Sequence, residues 1–539
     1  MEKLDTNKRL LLAIVLSFLV LTLYSYIFPP QTPKKLDQNA SSAPIATQSK
    51  AAPTATFNQK TTQNIKQAPI SSQKSQTIAT IETTKYKATI DNLGRIDSLI
   101  LKESKYKDEN GNPLDLINKK LIKPLELRFK DVNLNAKAFQ TNYTASIKTL
   151  NATTKSETLT LTQNLGSVTV KKVITFYPKG NYDIKVEVSD KNQEFFLTPG
   201  FRPTVDKTMY MVVRGVVIRD DKGVLTTLEK GDAKSILTFS NATVTAAVDR
   251  YYTTLLYKKE GVFNTTVAAC GSECVGYEEE PIAFVHAKGD LELQGYAGPK
   301  EWKLFESLDP KLTDVIEFGW FTFLAKPFFK IMLAIYDFVG NWGWTIVLFT
   351  LLVKIILFPL SYKGLMSMQK LKDLAPKMKE LREKYGNDPV KMNQQMMALY
   401  KKHGANPMGG CLPMLLQIPI FFALYRVLLN ADELQGAPWI LWIQDLSAPD
   451  PYFVLPVLMG LTMYIQQKIT PNTMTDPMQK KIFMWLPAIM TIFFINFPAG
   501  LVLYWLVNNV LTIAQQLYIN KAYEKYKEQQ KAKERKSKK

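Results

Sequence analysis

Two periods of hydrophobic spacing divide the chain. From about 80 to 316, apolar and polar residues alternate, as in YKATIDNLGRIDSLIL, SVTVKKVITFYPKGNYDIKVEVSD and MVVRGVVIRDDKGVLTTLEK, with Gly, Asn and Asp at the breaks. A period of two places apolar side chains on one face of a strand, so this stretch predicts an antiparallel β-sandwich of roughly 230 residues. Beyond 340 the alternation gives way to long apolar runs, which predict spans near 342–361, 413–430, 452–469, 482–498 and 500–519. A further run, LLLAIVLSFLVLTLYSYIF, lies near the N-terminus and approaches the ~20 residues that a helix needs to cross a bilayer. It is followed by PPQTPKK rather than a small-residue cleavage site, so residues 1–28 read as a cytosolic tip and an uncleaved signal anchor.

The intervening segments differ in kind. Residues 29–79 are rich in Ser, Thr, Gln, Ala and Pro, and predict a disordered linker that cannot bury enough apolar surface to fold. Residues 317–340 are crowded with aromatics but interrupted by Lys326, Lys330 and Asp337, which suits an amphipathic helix lying in the interface; a buried hairpin of the core is the alternative. In 363–405, Leu371, Leu374, Met378, Leu381 and Tyr385 recur every three or four residues, and Val390, Met397 and Tyr400 extend the stripe after Pro389. That pattern predicts a helical hairpin. Its methionines serve either as an adaptable binding surface or as the hairpin's own core. The runs at 452–469 and 482–498 hold only about 14 and 16 apolar residues, short for a full span, so the bilayer around them is expected to thin.

Charge then fixes the orientation. The chain carries 68 Lys and Arg against 48 Asp and Glu, a net charge of +20. The surplus concentrates in the predicted hairpin and in the tail 521–539, while ADELQGAPWILWIQDLSAPDP holds four acids and no base. The positive-inside rule therefore places both termini and the hairpin in the cytosol and the β domain outside. The basic tail suits an anionic leaflet or acidic RNA nearby, or is simply a solvated helix.

Candidate chemistry is sparse. Cys270 and Cys274 form a plausible local disulfide if their domain lies outside the cytosol, and Cys411 opens an apolar run in which it packs. No metal set is complete, no G-x-x-x-x-G-K-[ST] motif occurs, and His286 and His403 fall on opposite sides of the membrane. Neither a catalytic residue nor a cofactor is expected. The feature that needs an explanation is Lys354 within TIVLFTLLVKIILFPL. It lies about seven residues, or roughly 10 Å, from the cytosolic end of its helix. A charge at mid-bilayer costs at least ~2.5–3.5 kcal/mol and normally faces a bundle interior or water. Thr350 shares its face, Gln417 lies in the cytosolic half of the next span, and Asn508, Thr512, Gln515 and Gln516 stripe the last one. Facing one another, these residues enclose a polar groove open to the cytosol; hydrogen bonding of Lys354 to carbonyls in a closed bundle is the alternative.

Three motifs, NPMGGCLPMLLQIPIFFALY (406–425), TPNTMTDPMQKKI (470–482) and FPAGLVLYWLVNN (497–509), resemble the YidC membrane-protein insertase family over about 340–520. The anchor and external β domain resemble its Gram-negative members in layout. The resemblance implies an α-helical core of five helices plus the anchor, holding a hydrophilic groove closed to the exterior, in an inner-membrane protein with a large periplasmic domain. It also implies a non-enzymatic chaperone that inserts nascent membrane proteins, alone or with the Sec translocon, and contacts lipid, ribosomes and targeting factors through the hairpin and tail, with no specific nucleic acid. Thr350, Phe421 and Trp505 are carried over as substrate contacts. Members of this kind usually have arginine where Lys354 stands and tyrosine where Trp505 stands, so the charge is kept but the planar donor fork is lost. An ion- or proton-coupled transporter using Lys354 is the competing reading, although neither repeated halves nor intramembrane acids are evident.

Overall fold

A computed structural model describes residues 75–108, 110–205, 212–386, 388–403, 412–470 and 477–537. The expected anchor, most of the expected linker and Cys411 lie outside the described residues. The first strand, Thr77–Glu82, begins inside the stretch read as linker to residue 79, because Ala79 and Ile81 are buried as it pairs with Tyr86–Asp91.

Among the described residues, the alternating half forms two sheets. One has four strands, in the order Ile96–Leu101, Tyr86–Asp91, Thr77–Glu82 and Thr149–Asn151; the other has 13 and runs from Leu127–Phe129 to Thr144–Ala145. All pairings are antiparallel except that between Thr77–Glu82 and Thr149–Asn151. The hairpin of Thr169–Phe176 and Asn181–Val188 shows why the pattern folds this way. Val170, Ile174, Phe176, Tyr182, Ile184 and Val186 all point into the core. Its turn needs Gly180, which has φ +87° and packs so closely that an added Cβ would lie 3.1 Å from the Tyr86 ring. Lys172 breaks the alternation by pointing inward. Its Nζ donates to the carbonyls of Gly94 (3.0 Å) and Leu125 (2.8 Å) and lies over the Tyr143 ring, while burial lowers its pKa to about 7. His286 lies 3.0 Å from Glu194 Oε2 on the neighbouring strand and stacks on Phe196. Cys270 and Cys274 are disulfide-bonded, with Cα atoms 5.8 Å apart.

The helices are α1 (Val132–Gln140), α2 (Trp302–Leu308), α3 (Thr322–Val339), α4 (Trp342–Tyr385), α5 (Pro389–His403), α6 (Leu412–Asn430), α7 (Val454–Ile469), α8 (Pro477–Phe494) and α9 (Ala499–Ser537). Helix α3 buries Ala325, Phe329, Met332 and Leu333, a stripe at i, i+4, i+7 and i+8. Trp302 of α2 meets Phe329 on one side, and Phe349 of α4 meets Phe328 on the other, so α3 joins the β domain to the helices. Its left-handed C-cap, Gly340, turns the chain into α4.

Helix α4 departs from the expected break between span and hairpin. It runs unbroken for 44 residues, roughly 66 Å, through Pro359 and Pro376. Each proline deletes one backbone hydrogen bond, yet packing holds the rod together. Leu371, Leu374 and Met378 close against Met396, Leu399 and Tyr400 of α5 and α4's second half is also tied to α9, where Tyr523 and Lys527 both donate to Asp373 (3.0 and 2.8 Å). The expected tail is likewise the continuation of α9, which spans 39 residues. Helix α7 has 16 residues, roughly 24 Å, against a ~30 Å hydrocarbon core. It packs closely on α8 at Gly460, where any Cβ would collide with Thr491. Among the described residues, only α4 is by itself long and apolar enough to count as a span, with shorter apolar stretches at Gln417–Asn430 and Lys481–Phe494.

Candidate functional site

Helical spacing sets up the site. Thr350 and Lys354 lie one turn apart on α4, Gln417 and Phe421 one turn apart on α6, and Trp505, Asn508 and Thr512 follow one another down α9. The fold brings these faces together. A small chamber of about 30 Å³, room for a water or two, is bordered by Thr350, Lys354, Ser361, Gln417, Tyr504 and Asn508, and its lining includes no carboxylate.

Lys354 is half-buried, and its Nζ donates to Thr512 Oγ1 at 2.8 Å. Thr512 accepts because its own proton is committed to the Asn508 carbonyl at 2.6 Å. A hydroxyl has one donor, so the helix backbone turns Thr512 into an acceptor aimed at the cation. Thr350 is buried, and its hydroxyl donates back to the Ile346 carbonyl at 2.6 Å, leaving only acceptor capacity toward the chamber. Gln417 Nε2 donates to Asn508 Oδ1 at 2.8 Å.

Behind that amide pair lies a second, larger cavity of about 390 Å³ between α6, α7, α8 and α9. Phe421, Phe422, Met463, Phe483, Leu486 and Trp505 make it mainly apolar. Phe421 and Trp505 meet edge to face at 4.8 Å, and Trp505 also touches Phe494 at 5.0 Å. Gln515 borders neither cavity. The neighbouring Gln516 is buried instead and donates to Asn520, which also accepts from Gln369 of α4, so the rods seal together below the chamber. The sequence reading also passed over Tyr504, which borders both cavities, and Asn509, whose Nδ2 reaches Thr462 Oγ1 at 3.3 Å. Both were within FPAGLVLYWLVNN; i−4 from Asn508 and i+4 from Trp505 are the spacings that pick them out.

At the end of the helical part nearest the β domain, one loop fastens the helices. Asn341 caps α4 and its Nδ2 donates to the carbonyls of Pro438 and Trp439, both at 3.2 Å. The first amides of α9, Ala499 and Gly500, donate to Ala448 (2.7 Å) and Leu446 (2.9 Å). The loop between α6 and α7 thus ties both rods. The β domain holds the same loop from above. Arg250 Nε donates to the Leu429 carbonyl (2.8 Å), Lys105 Nζ and Tyr106 OH reach Asp432 (2.9 and 2.7 Å), and the Trp302 amide donates to Glu433 Oε1 (2.9 Å). Asp432 of this acidic loop is therefore buried and Glu433 half-buried: desolvation raises the pKa of Asp432 and pushes that of Glu433 up to about 7.

Comparison with known proteins agrees with this two-part build. Residues 78–331 match the family model of the YidC periplasmic domain, and 334–528 match that of the 60Kd inner membrane protein. Membrane protein insertase YidC of Campylobacter jejuni is 48% identical over 525 residues, 96% of this chain and 97% of that protein. The protein of the same name from Wolinella succinogenes is 49% identical, covering 97% of this chain and 96% of its own length. This chain belongs to the YidC family of membrane protein insertases. Its YidC periplasmic domain and helical inner-membrane part are thus assigned along nearly the whole described chain. A transporter role for Lys354 finds no support among these YidC relatives. The Helicobacter pylori relative, 47% identical over 563 residues, carries the same description and covers 98% of each chain.

Proposed function

We propose that this chain inserts and helps fold membrane proteins in the inner membrane by receiving their polar segments at Lys354. The half-buried ammonium, held by Thr512 in a chamber without carboxylates and one side-chain layer from an apolar cavity, carries this reading. A polar segment entering the bilayer loses water at a cost of several kcal/mol per unsatisfied group. The chamber offsets part of that loss through hydrogen-bonding side chains and one positive charge, which favours substrates with acidic external segments. The short α7, roughly 24 Å long, suits a locally thin bilayer that shortens the apolar path. Apolar segments then leave by partitioning into lipid, without covalent chemistry and without a cofactor.

In this reading all five helical spans cross the membrane, α3 lies in the interface, and the α4–α5 hairpin and the end of α9 face the cytosol. Their basic surface would meet ribosomes, targeting factors and anionic lipid, and cooperation with the Sec translocon follows the family. Phe421 and Trp505 would contact the apolar part of a substrate, Lys354 and Thr350 its polar part. Photocrosslinkers at Thr350 and Trp505 should capture nascent membrane proteins on stalled ribosomes. A folded protein that yields adducts at neither position would sink the proposal.

A further inference from the structure

The chamber and the larger cavity share three wall residues: Gln417, Tyr504 and Asn508. Each of the three therefore borders both cavities. Helices α6 and α9 run antiparallel, and their described side chains meet in two stacked layers. In one, Phe421 lies against Trp505 (4.8 Å) and Tyr504 (6.4 Å). In the other, four residues back along α6 and three on along α9, Gln417 donates to Asn508 (2.8 Å).

We propose that the Gln417–Asn508 hydrogen bond is a reclosable partition, which a substrate segment parts in passing from the chamber at Lys354 into the apolar cavity. The inference rests on the insertase reading and adds where the barrier stands. Its chemistry suits a partition better than an ion pair would. A single neutral hydrogen bond between membrane helices holds weakly, so it opens and reforms readily. Each primary amide also carries both donors and an acceptor. Once apart, Gln417 and Asn508 offer a passing backbone the N–H and C=O partners that lipid does not. Beyond the amide layer the walls become mainly aromatic and aliphatic, with Gln466, Gln467, Thr470 and Asn509 as the cavity's further polar groups.

The test uses the full chain in proteoliposomes, with Cys411→Ser to remove the remaining free thiol and Gln417→Cys plus Asn508→Cys to mark the two walls. A short bifunctional maleimide joins them, and a monofunctional maleimide serves as the matched control. A ribosome-stalled single-span membrane protein is the substrate, and a photocrosslinker stands either at Ser361, in the chamber, or at Phe483, across the apolar cavity on α8. Relative to the monofunctional control, joining should leave Ser361 adducts in place, lower Phe483 adducts at least tenfold and stop insertion. A misfolded protein would lose the Ser361 adducts too, so their persistence separates a closed partition from damage. Phe483 adducts and insertion equal to the control's would overturn the partition. Absence of adducts at both positions in the unjoined protein would overturn the insertase reading itself, and the partition with it.

Discussion

Replacing Lys354 by glutamate should all but stop insertion of a substrate whose external segment is acidic. At an effective dielectric of ~20 and a separation of ~4 Å, two unit charges interact by about 4 kcal/mol. Lys354 is only half-buried, and water in and around the chamber reduces that figure. Taking a quarter of it leaves an attraction of about 1 kcal/mol that becomes a repulsion of similar size, a swing of about 2 kcal/mol or roughly 30-fold in rate. The local geometry adds to the loss. Thr512 gives its proton to the Asn508 carbonyl, so an introduced carboxylate would face a second acceptor where Lys354 now donates at 2.8 Å. Lys354→Arg keeps the charge and a donor toward Thr512, and should stay within about threefold of the parent. The assay compares two single-span substrates, identical except for acidic or neutral residues in the external segment, by protease accessibility after insertion into proteoliposomes. Both variants should show thermal unfolding close to the parent's. If Lys354→Glu inserts the acidic substrate as fast as the parent does, charge is not what the chamber supplies.

Three further outcomes follow from packing and burial. Desolvation pushes Glu433 up to about 7, above its ordinary 4.5, so the folded state binds more protons than the unfolded one between these values and stability falls as pH rises through that window, by about 3 kcal/mol in all. Glu433→Gln should flatten the thermal-unfolding profile between pH 4.5 and 8; an unchanged slope would refute the burial argument. Leu374→Ala removes a buried residue from the α4–α5 seam and should cost about 2–3 kcal/mol locally, read as faster amide exchange in 365–403 with the β domain unaffected. Gly460→Leu must push α7 away from Thr491 of α8, costing roughly 1–3 kcal/mol and lowering the unfolding temperature, whereas an unaltered protein would mean that the helices do not approach as described.

Much of this was readable from spacing, because a period of two or of three to four reports which face is buried. The inward strand residues from Val170 to Val186 and the polar faces of α4, α6 and α9 follow that rule. What escaped was set by contacts far apart in sequence. Gln515 continues the stripe of Asn508 and Thr512, yet the chamber ends above it because Gln369, Gln516 and Asn520 seal the rods. Asp432 and Glu433 look like a solvated loop until Lys105, Tyr106 and Trp302 of the β domain, 131 to 327 residues earlier, cover them. Pro359 and Pro376 are local stop signals for a helix, and lateral packing of α4 against α5 and α9 overrides them. Thr350 shares the Lys354 face by spacing and borders the chamber, but its hydroxyl bonds its own helix, which no sequence pattern reports.

The helices around Lys354 are not held alike. Helices α4 and α9, which carry Lys354 and its partner Thr512, are fastened above the chamber by the α6–α7 loop and below it by the Gln369–Asn520 contact and the Asp373 pair with Tyr523 and Lys527. Beside the chamber, the wall that α6 contributes meets α9 through the Gln417–Asn508 hydrogen bond and an aromatic layer. Helix α6 is fastened at its end nearest the β domain, where Arg250 donates to the Leu429 carbonyl and Asn430 donates to the Glu317 carbonyl, so on the proposed reading it is only the stretch beside Lys354 that yields. A lysine suffices in such a frame. Its point charge needs no bidentate fit, because Thr512 sets where the ammonium sits; under the proposed function, what passes it would be selected by charge and by the cost of parting the Gln417–Asn508 contact.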